Sequence, residues 1–85
     1  MELIETAKFR KTRKKINEAG EKEALKNAVK EIIKNPTAGK KLKGEFKEIR
    51  SFRYIVPGQQ RRLIYKLEPG FIVLFSFGPR EGIYK

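Results

Sequence analysis

The chain has 85 residues and carries 21 Lys and Arg against 10 acidic residues, which gives a formal net charge of +11. A chain of this length supports one hydrophobic core, so we expect a single domain over residues 1–85. The sequence has no Cys, His or Asp, which excludes disulfides, thiol nucleophiles, imidazole bases and the usual thiolate or histidine metal sites. We therefore expect its chemistry to depend on Lys, Arg, Tyr, Glu and the backbone, with no cofactor.

The positive charge points to an anionic partner. A field of this strength favours nucleic acid or an acidic protein, although a basic charge can also serve solubility alone. No apolar stretch reaches the ~18 residues that a membrane-spanning helix needs, and the first residues do not have the apolar h-region of a signal peptide. We expect a cytoplasmic protein that has no membrane partner.

The N-terminal part predicts a first helix. Residues 1–5 read equally well as a short strand or as a frayed start. Thr6 is suited to cap a helix that runs to Ala19, because its hydroxyl can accept hydrogen bonds from free amides of the first turn. Gly20 is typical of the left-handed residue that ends a helix.

A second helix is predicted over residues 21–34. Its apolar residues follow the i, i+3, i+4, i+7 spacing of a buried stripe: Leu25, Ala28, Val29, Ile32 and Ile33. Asn35 and Pro36 end this helix, because a residue that precedes proline avoids helical angles. Two helices separated by a short break predict an antiparallel hairpin that buries its apolar side on another layer.

That second layer is predicted to be a sheet. Residues 49–56, 61–67 and 71–77 read as strands, and the turns between them are too short for crossover helices. Residues 71–77 are apolar at nearly every position, which is typical of a central strand covered on both faces. The predicted fold is α+β, with an N-terminal antiparallel helix hairpin packed on one face of a small, mainly antiparallel sheet.

Arginines on two neighbouring strands predict a basic sheet face. Side chains alternate along a strand, so Arg50 and Arg53 point to opposite faces, as do Arg61 and Arg62. Because the helices cover only one face, at least one Arg of each strand points to the other. Guanidinium groups bind phosphate oxygens in a forked geometry, and aromatic rings stack on bases, which is how single-stranded nucleic acid is bound.

The C-terminal segment adds a third Arg and a Tyr. Gly78 and Pro79 break the last strand directly before Arg80, and Tyr84 follows a further glycine. Both side chains are near enough to reach over the sheet face. The alternative is that Arg80 pairs with Glu81 and Tyr84 packs as a lid on the core.

Four basic segments and a tyrosine together resemble a known family. In order, they are Gly-Lys-Lys-Leu-Lys-Gly at 39–44, Ile-Arg-Ser-Phe-Arg at 49–53, Arg-Leu-Ile-Tyr at 62–65, Phe-Gly-Pro-Arg at 77–80, and then Tyr84. Across nearly the whole chain this set resembles the RelE/ParE superfamily of type II toxin–antitoxin toxins, and within it the RelE-like messenger-RNA endoribonucleases. The ordered set is more specific than any one of its members.

The resemblance implies a function and a catalytic set. RelE-like toxins cut messenger RNA in the ribosomal A site without a metal, through attack of the ribose 2′-hydroxyl on the adjacent phosphate. The implied partners are messenger RNA on the ribosome, 16S ribosomal RNA and a cognate antitoxin. By position in the motifs, Arg53, Arg62, Arg80 and Tyr84 would be catalytic, and the strand register would set Arg53 opposite Arg62.

Other basic residues would bind RNA in such a toxin. The expected contacts are Lys40, Lys41, Lys43, Lys47, Arg50, Tyr54 and Arg61. The chain departs from the family pattern at Ser51, where relatives often have Lys or Arg. That departure leaves the general base open among Lys47, Arg50 and Tyr54.

Two other functions are compatible with the sequence. A ParE-like toxin that inhibits DNA gyrase would share the fold, but ParE-like chains usually lack the complete Arg-Arg-Tyr set. A non-catalytic RNA- or ribosome-binding domain would need only the charge, and Tyr84 would then be incidental.

Overall fold

The computed structural model describes residues 2–42 and 48–79. Its elements are β1 (Glu2–Glu5), α1 (Ala7–Lys14), α2 (Ala19–Lys34), β2 (Lys40–Lys41), β3 (Ile49–Val56), β4 (Gln59–Glu68) and β5 (Phe71–Gly78). The strands form one sheet in the order β1-β5-β4-β3-β2. β1 runs parallel to β5, and the other pairs are antiparallel. The α+β fold and the three-stranded meander are confirmed, and β1 and β2 extend the sheet at its two edges.

The first helix begins as predicted and ends earlier. The Thr6 hydroxyl accepts a hydrogen bond from the N–H of Phe9 at 3.2 Å and donates one to the carbonyl of Phe75 at 3.1 Å. The predicted end at Ala19 is wrong, because α1 ends at Lys14. There the amides of residues 15 and 16 bond three residues back, which tightens the last turn and leads the chain inward to bury Ile16.

The second helix includes Ala19 and Gly20, which were expected to end the first helix. α2 begins at Ala19, so Gly20 lies in its first turn and does not stop α1. The helix ends at Lys34, as predicted, and the N–H of Asn35 bonds to the carbonyl of Glu31. The predicted stripe is confirmed at Leu25, Ala28 and Ile32, which are buried, whereas Ile33 is exposed. No helix in the described ranges is long and apolar enough to cross a membrane.

Both helices pack on the same face of the sheet. α1 lies over β5 and α2 over β3, and their buried side chains join those of the strands in one core. The core residues of the sheet are Tyr54, Val56, Leu63, Tyr65, Ile72, Leu74 and Phe77. The sheet face that α1 and α2 do not cover is called the open face below.

Strand β5 differs from the prediction that both of its faces are covered. Ile72 and Leu74 are buried under the helices, but Val73 on the other face is only half-buried. A bulge follows, because Leu74 pairs with Tyr65 while Ser76 pairs with Ile64, one residue out of step. Beyond the bulge Phe77 turns back to the helices, and Gly78 becomes the register partner of Arg62.

A cationic cluster on the open sheet face

The register of β3 and β4 sets two arginines opposite each other. Phe52 pairs with Leu63 under the helices, and Arg53 pairs with Arg62 on the open face. The predicted Arg53–Arg62 pairing is therefore confirmed. Like charges directly opposite in a sheet destabilise it, so this pair contributes little to the fold and is well suited to bind an anion between the two side chains.

A lysine of the edge strand joins the two arginines. Lys40 pairs with Ser51, whose hydroxyl accepts a hydrogen bond from Arg62 Nη1 at 3.4 Å, so both residues lie on the open face. We call Lys40, Arg53 and Arg62 the cationic cluster. Lys40 and Arg53 are exposed and Arg62 is half-buried. Within the described ranges no carboxylate pairs with any of the three.

At the other end of the open face, the charge of Lys66 is balanced by acidic side chains. Lys66 lies 3.0 Å from a carboxylate oxygen of Glu68 and 3.9 Å from one of Glu48. The hydrogen bond to Glu68 raises the pKa of Lys66. Because this cation already has acidic partners, the available positive charge of the two strands is concentrated at the Arg53–Arg62 end.

Apolar and hydroxyl side chains surround the cluster. Ile55 is 71% exposed and shares the open face with Arg53, whereas Ile64, Ser51 and Ser76 are buried. An exposed aliphatic side chain beside guanidinium groups offers contact area to a base whose phosphate is bound by the arginines. Exposed aliphatic area is thus present beside the arginines on this face.

Four of the predicted RNA contacts lie on the helix side of the sheet, and three of them belong to β3 and β4. Tyr54 and Arg61 pair with each other there, and Arg50 pairs with the buried Tyr65. Burial raises the pKa of Tyr54 to about 12, while the positive charge of Arg61 lowers it to a smaller extent. The phenol of Tyr54 is therefore protonated at neutral pH and does not meet the cationic cluster.

The contacts of Arg61 and Arg50 are internal. Arg61 Nη2 lies 2.5 Å from Glu21 Oε1 and 2.7 Å from Gln59 Oε1, which fastens the start of α2 to β4. Its Nε is buried and has no hydrogen-bond partner in the described part of the chain. Arg50 Nη1 donates to the carbonyl of Gly39 at 2.8 Å. Lys41 pairs with Arg50, so it also lies away from the cluster.

Four other predicted site residues lie outside the described residues. They are Lys43, Lys47, Arg80 and Tyr84. The register partner of Arg62 is Gly78, so the last described residues of β5 lie beside the cluster. In the sequence Arg80 follows Gly78 by two positions.

Tyr65 has a structural role that the sequence does not predict. This side chain is fully buried, yet its hydroxyl donates to the carbonyl of Pro36 at 2.7 Å and accepts the N–H of Gly39 at 2.9 Å. One signal was available, because a tyrosine in a strand whose face meets the helices needs a partner for its hydroxyl. Nothing in the sequence shows that the partner is the loop before β2.

A second feature is a cleft between the two helices. It has a volume of about 650 Å³ and an apolar floor that includes Leu3, Phe9 and Leu25. Its rim is basic and consists of Arg13, Lys14, Lys22, Lys26 and Lys30. Glu5 also lines the cleft and pairs with Arg13 at 2.5 Å.

Comparison with known proteins gave one family and one fold. Residues 3–85 match the model of a family described as the ParE-like toxin of type II bacterial toxin–antitoxin systems. A chain in the crystal structure of the intact E. coli RelBE toxin–antitoxin complex aligns with a TM-score of 0.74 and 21% identity, over 95% of this chain and 98% of that one. The isolated E. coli RelE toxin aligns with the same score and identity, over 95% and 85%. A search of curated proteins gave no match.

Proposed function

This chain belongs to the ParE-like toxin family of type II bacterial toxin–antitoxin systems, and from that premise we propose that it is a metal-independent endoribonuclease that cuts messenger RNA in the ribosomal A site. The observation that carries the proposal is the Arg53–Arg62 pair on the open face, which has no carboxylate partner in the described ranges. Two like charges set opposite each other do not favour the fold, whereas an RNA phosphate bound beside both guanidinium groups would interact favourably with each.

The proposed reaction begins with attack of a ribose 2′-hydroxyl on the adjacent phosphorus. A bond from O2′ to phosphorus forms, the bond to O5′ breaks, and the products are a cyclic phosphate and a free 5′-hydroxyl. Negative charge develops on the phosphorane oxygens, where Arg53 and Arg62 stabilise it with charge-assisted hydrogen bonds. The 16S ribosomal RNA contributes by orienting the messenger.

The remaining roles fall to the C-terminal segment and to one lysine. Arg80, which follows Gly78 by two positions in the sequence, would add a third guanidinium group, and Tyr84 would stack on the substrate or give a proton to the leaving oxygen. Of the three predicted bases, Arg50 and Tyr54 lie on the helix side of the sheet. We therefore propose Lys47 as the base, which would take the proton of the 2′-hydroxyl in its neutral amine form, and Lys40 as a phosphate contact.

Cleavage in cells tests the proposed activity. When the chain is expressed without its antitoxin, we expect growth to stop and primer extension to map cuts within codons of translated messages. A copy of one message without its start codon is the matched control and is expected to stay intact.

The ParE-like description of the family favours a second candidate, inhibition of DNA gyrase. Loss of plasmid supercoiling before any message is cut would establish that candidate instead.

We also propose that the cleft between the helices binds an acidic, amphipathic helical segment of the cognate antitoxin. Of the five basic side chains of the rim, Arg13 is paired with Glu5, and the four lysines have no carboxylate partner in the described ranges. An apolar floor under these lysines matches a helix whose apolar face enters the cleft and whose Glu and Asp side chains meet the rim. Such a segment would fold on contact, and the attraction of opposite charges would speed its association.

Charge reversal at the rim tests this partner. Replacing Lys22, Lys26 and Lys30 together with Glu should lower the affinity for the antitoxin by about tenfold or more, because like charges at an interface repel. The matched control replaces Lys8, Lys11 and Lys15, which are exposed and do not line the cleft. Equal losses in both triple variants, measured by calorimetry, would mean that the antitoxin responds only to net charge.

A further inference from the structure

Two side chains fasten the loop between α2 and β2 to the sheet. The Tyr65 hydroxyl donates to the carbonyl of Pro36 at 2.7 Å and accepts the N–H of Gly39 at 2.9 Å. Arg50 Nη1 donates to the carbonyl of Gly39 at 2.8 Å and to that of Thr37 at 3.4 Å. Arg50 and Tyr65 are register partners on β3 and β4, so the loop is bound to adjacent strands at one point. We call this set of four hydrogen bonds the loop clamp.

The clamp is tight at Gly39. A Cβ atom at this position would lie 2.6 Å from the Tyr65 hydroxyl oxygen, closer than side chains approach one another. Gly39 is therefore required for the close approach of the loop backbone to the phenol. Burial raises the pKa of Tyr65, and the Gly39 N–H and the Arg50 charge offset this only in part. The hydroxyl thus keeps its proton and continues to donate to the loop.

The strand that follows the clamp has little else to define its register. β2 consists of Lys40 and Lys41, which pair with Ser51 and Arg50, and one more backbone bond joins Leu42 to Ile49. Because side chains alternate along a strand, a slip of one residue would exchange the faces of the two lysines. So short a ladder specifies register weakly, whereas the clamp fixes the backbone of the residue directly before Lys40.

We propose that Tyr65 and Arg50 are positioning residues that set the register of β2 and so direct Lys40, and not Lys41, to the RNA phosphates bound at the Arg53–Arg62 pair. This inference rests on the proposed nuclease function. It gives Arg50 an indirect role, through the loop, in place of a direct contact with RNA. It also distinguishes two adjacent lysines that the sequence treats alike.

Salt-dependent binding of RNA to the full chain separates the two lysines. The probe is a 2′-O-methylated single-stranded RNA oligonucleotide, which has no 2′-hydroxyl and is not cut. Each phosphate contact to a single strand contributes about 0.7 to the slope of log affinity against log salt concentration. We expect Lys40→Ala to lower the slope by about that amount, and Lys41→Ala to change it by less than half as much.

A double-variant cycle tests whether Tyr65 acts through Lys40. Tyr65→Phe keeps the ring and removes both hydroxyl bonds, so it should reproduce the Lys40→Ala slope. When Tyr65→Phe is combined with Lys40→Ala, the slope should not fall below that of Lys40→Ala alone. A general loss of structure would weaken binding in both backgrounds. Gly39→Ala is a second variant that breaks the clamp from the loop side, and it should behave in the same way.

The outcomes separate this inference from the proposed function. Equal slopes for Lys40→Ala and Lys41→Ala, or additive losses from Tyr65→Phe and Lys40→Ala, would overturn the inference alone, provided that Arg53→Ala and Arg62→Ala still weaken binding. If those two arginine variants bind the oligonucleotide as the parent chain does, both proposals fail.

Discussion

Replacement of Arg62 with Ala is expected to lower the rate of messenger cleavage by about 10²- to 10³-fold, the loss typical when one preorganised donor to a developing negative charge is removed. Arg62 is half-buried and bonded to Ser51, so its guanidinium group is oriented before substrate arrives. Electrostatic stabilisation costs least when the donors do not have to reorganise during the reaction.

The matched control is Lys66→Ala. Lys66 lies on the same strand and the same face, but Glu48 and Glu68 already neutralise it. We expect its cleavage rate in a translation-coupled assay to stay within about twofold of the parent rate. Arg62→Lys should recover only part of the activity, because an ammonium group lacks the fork that binds two phosphate oxygens. An Arg62→Ala chain that cleaves at the parent rate would remove Arg62 from the site.

The Arg53–Arg62 pair was predicted from the resemblance of the motifs, and local rules account for only part of it. Alternation along each strand separates Arg62 from Arg61, but the register depends on where the turn ends, and β4 begins at Gln59, two residues before the predicted start. The same rules correctly put Arg50 and Ser51 on opposite faces. Periodicity shows which side chains of one strand share a face, whereas the choice of Arg53 and Arg62 came from their positions in the motifs.

Other features depend on contacts between distant segments, and the sequence did not reveal them. Arg61 has as much charge as Arg62, but it pairs with Glu21, 40 positions earlier in the sequence. The end of α1 was misplaced because burial of Ile16 outweighs the signal of Gly20. The parallel pairing of β1 with β5 joins the two ends of the fold, and no local pattern specifies it.

The core and the site are linked where α1 meets the end of β5. Phe9 is 1% exposed, and its ring packs edge-on against Phe77 at a centroid distance of 5.2 Å. Phe77 directly precedes Gly78, the register partner of Arg62. The packing of α1 on Phe77 therefore helps to position the end of β5, which lies beside the cationic cluster.

Phe9→Ala is accordingly expected to lower the free energy of unfolding by about 3–5 kcal/mol, the cost of losing a buried ring and leaving a cavity. A domain of this size has roughly 4–13 kcal/mol in total, so the variant should lose a large fraction of its stability. Urea denaturation followed by circular dichroism measures the change. Lys8→Ala, at the exposed neighbouring position, is the control and should shift the midpoint little. Phe9→Leu keeps most of the volume and should retain cleavage. A loss below about 1 kcal/mol for Phe9→Ala would mean that α1 is not fastened to β5 through this ring.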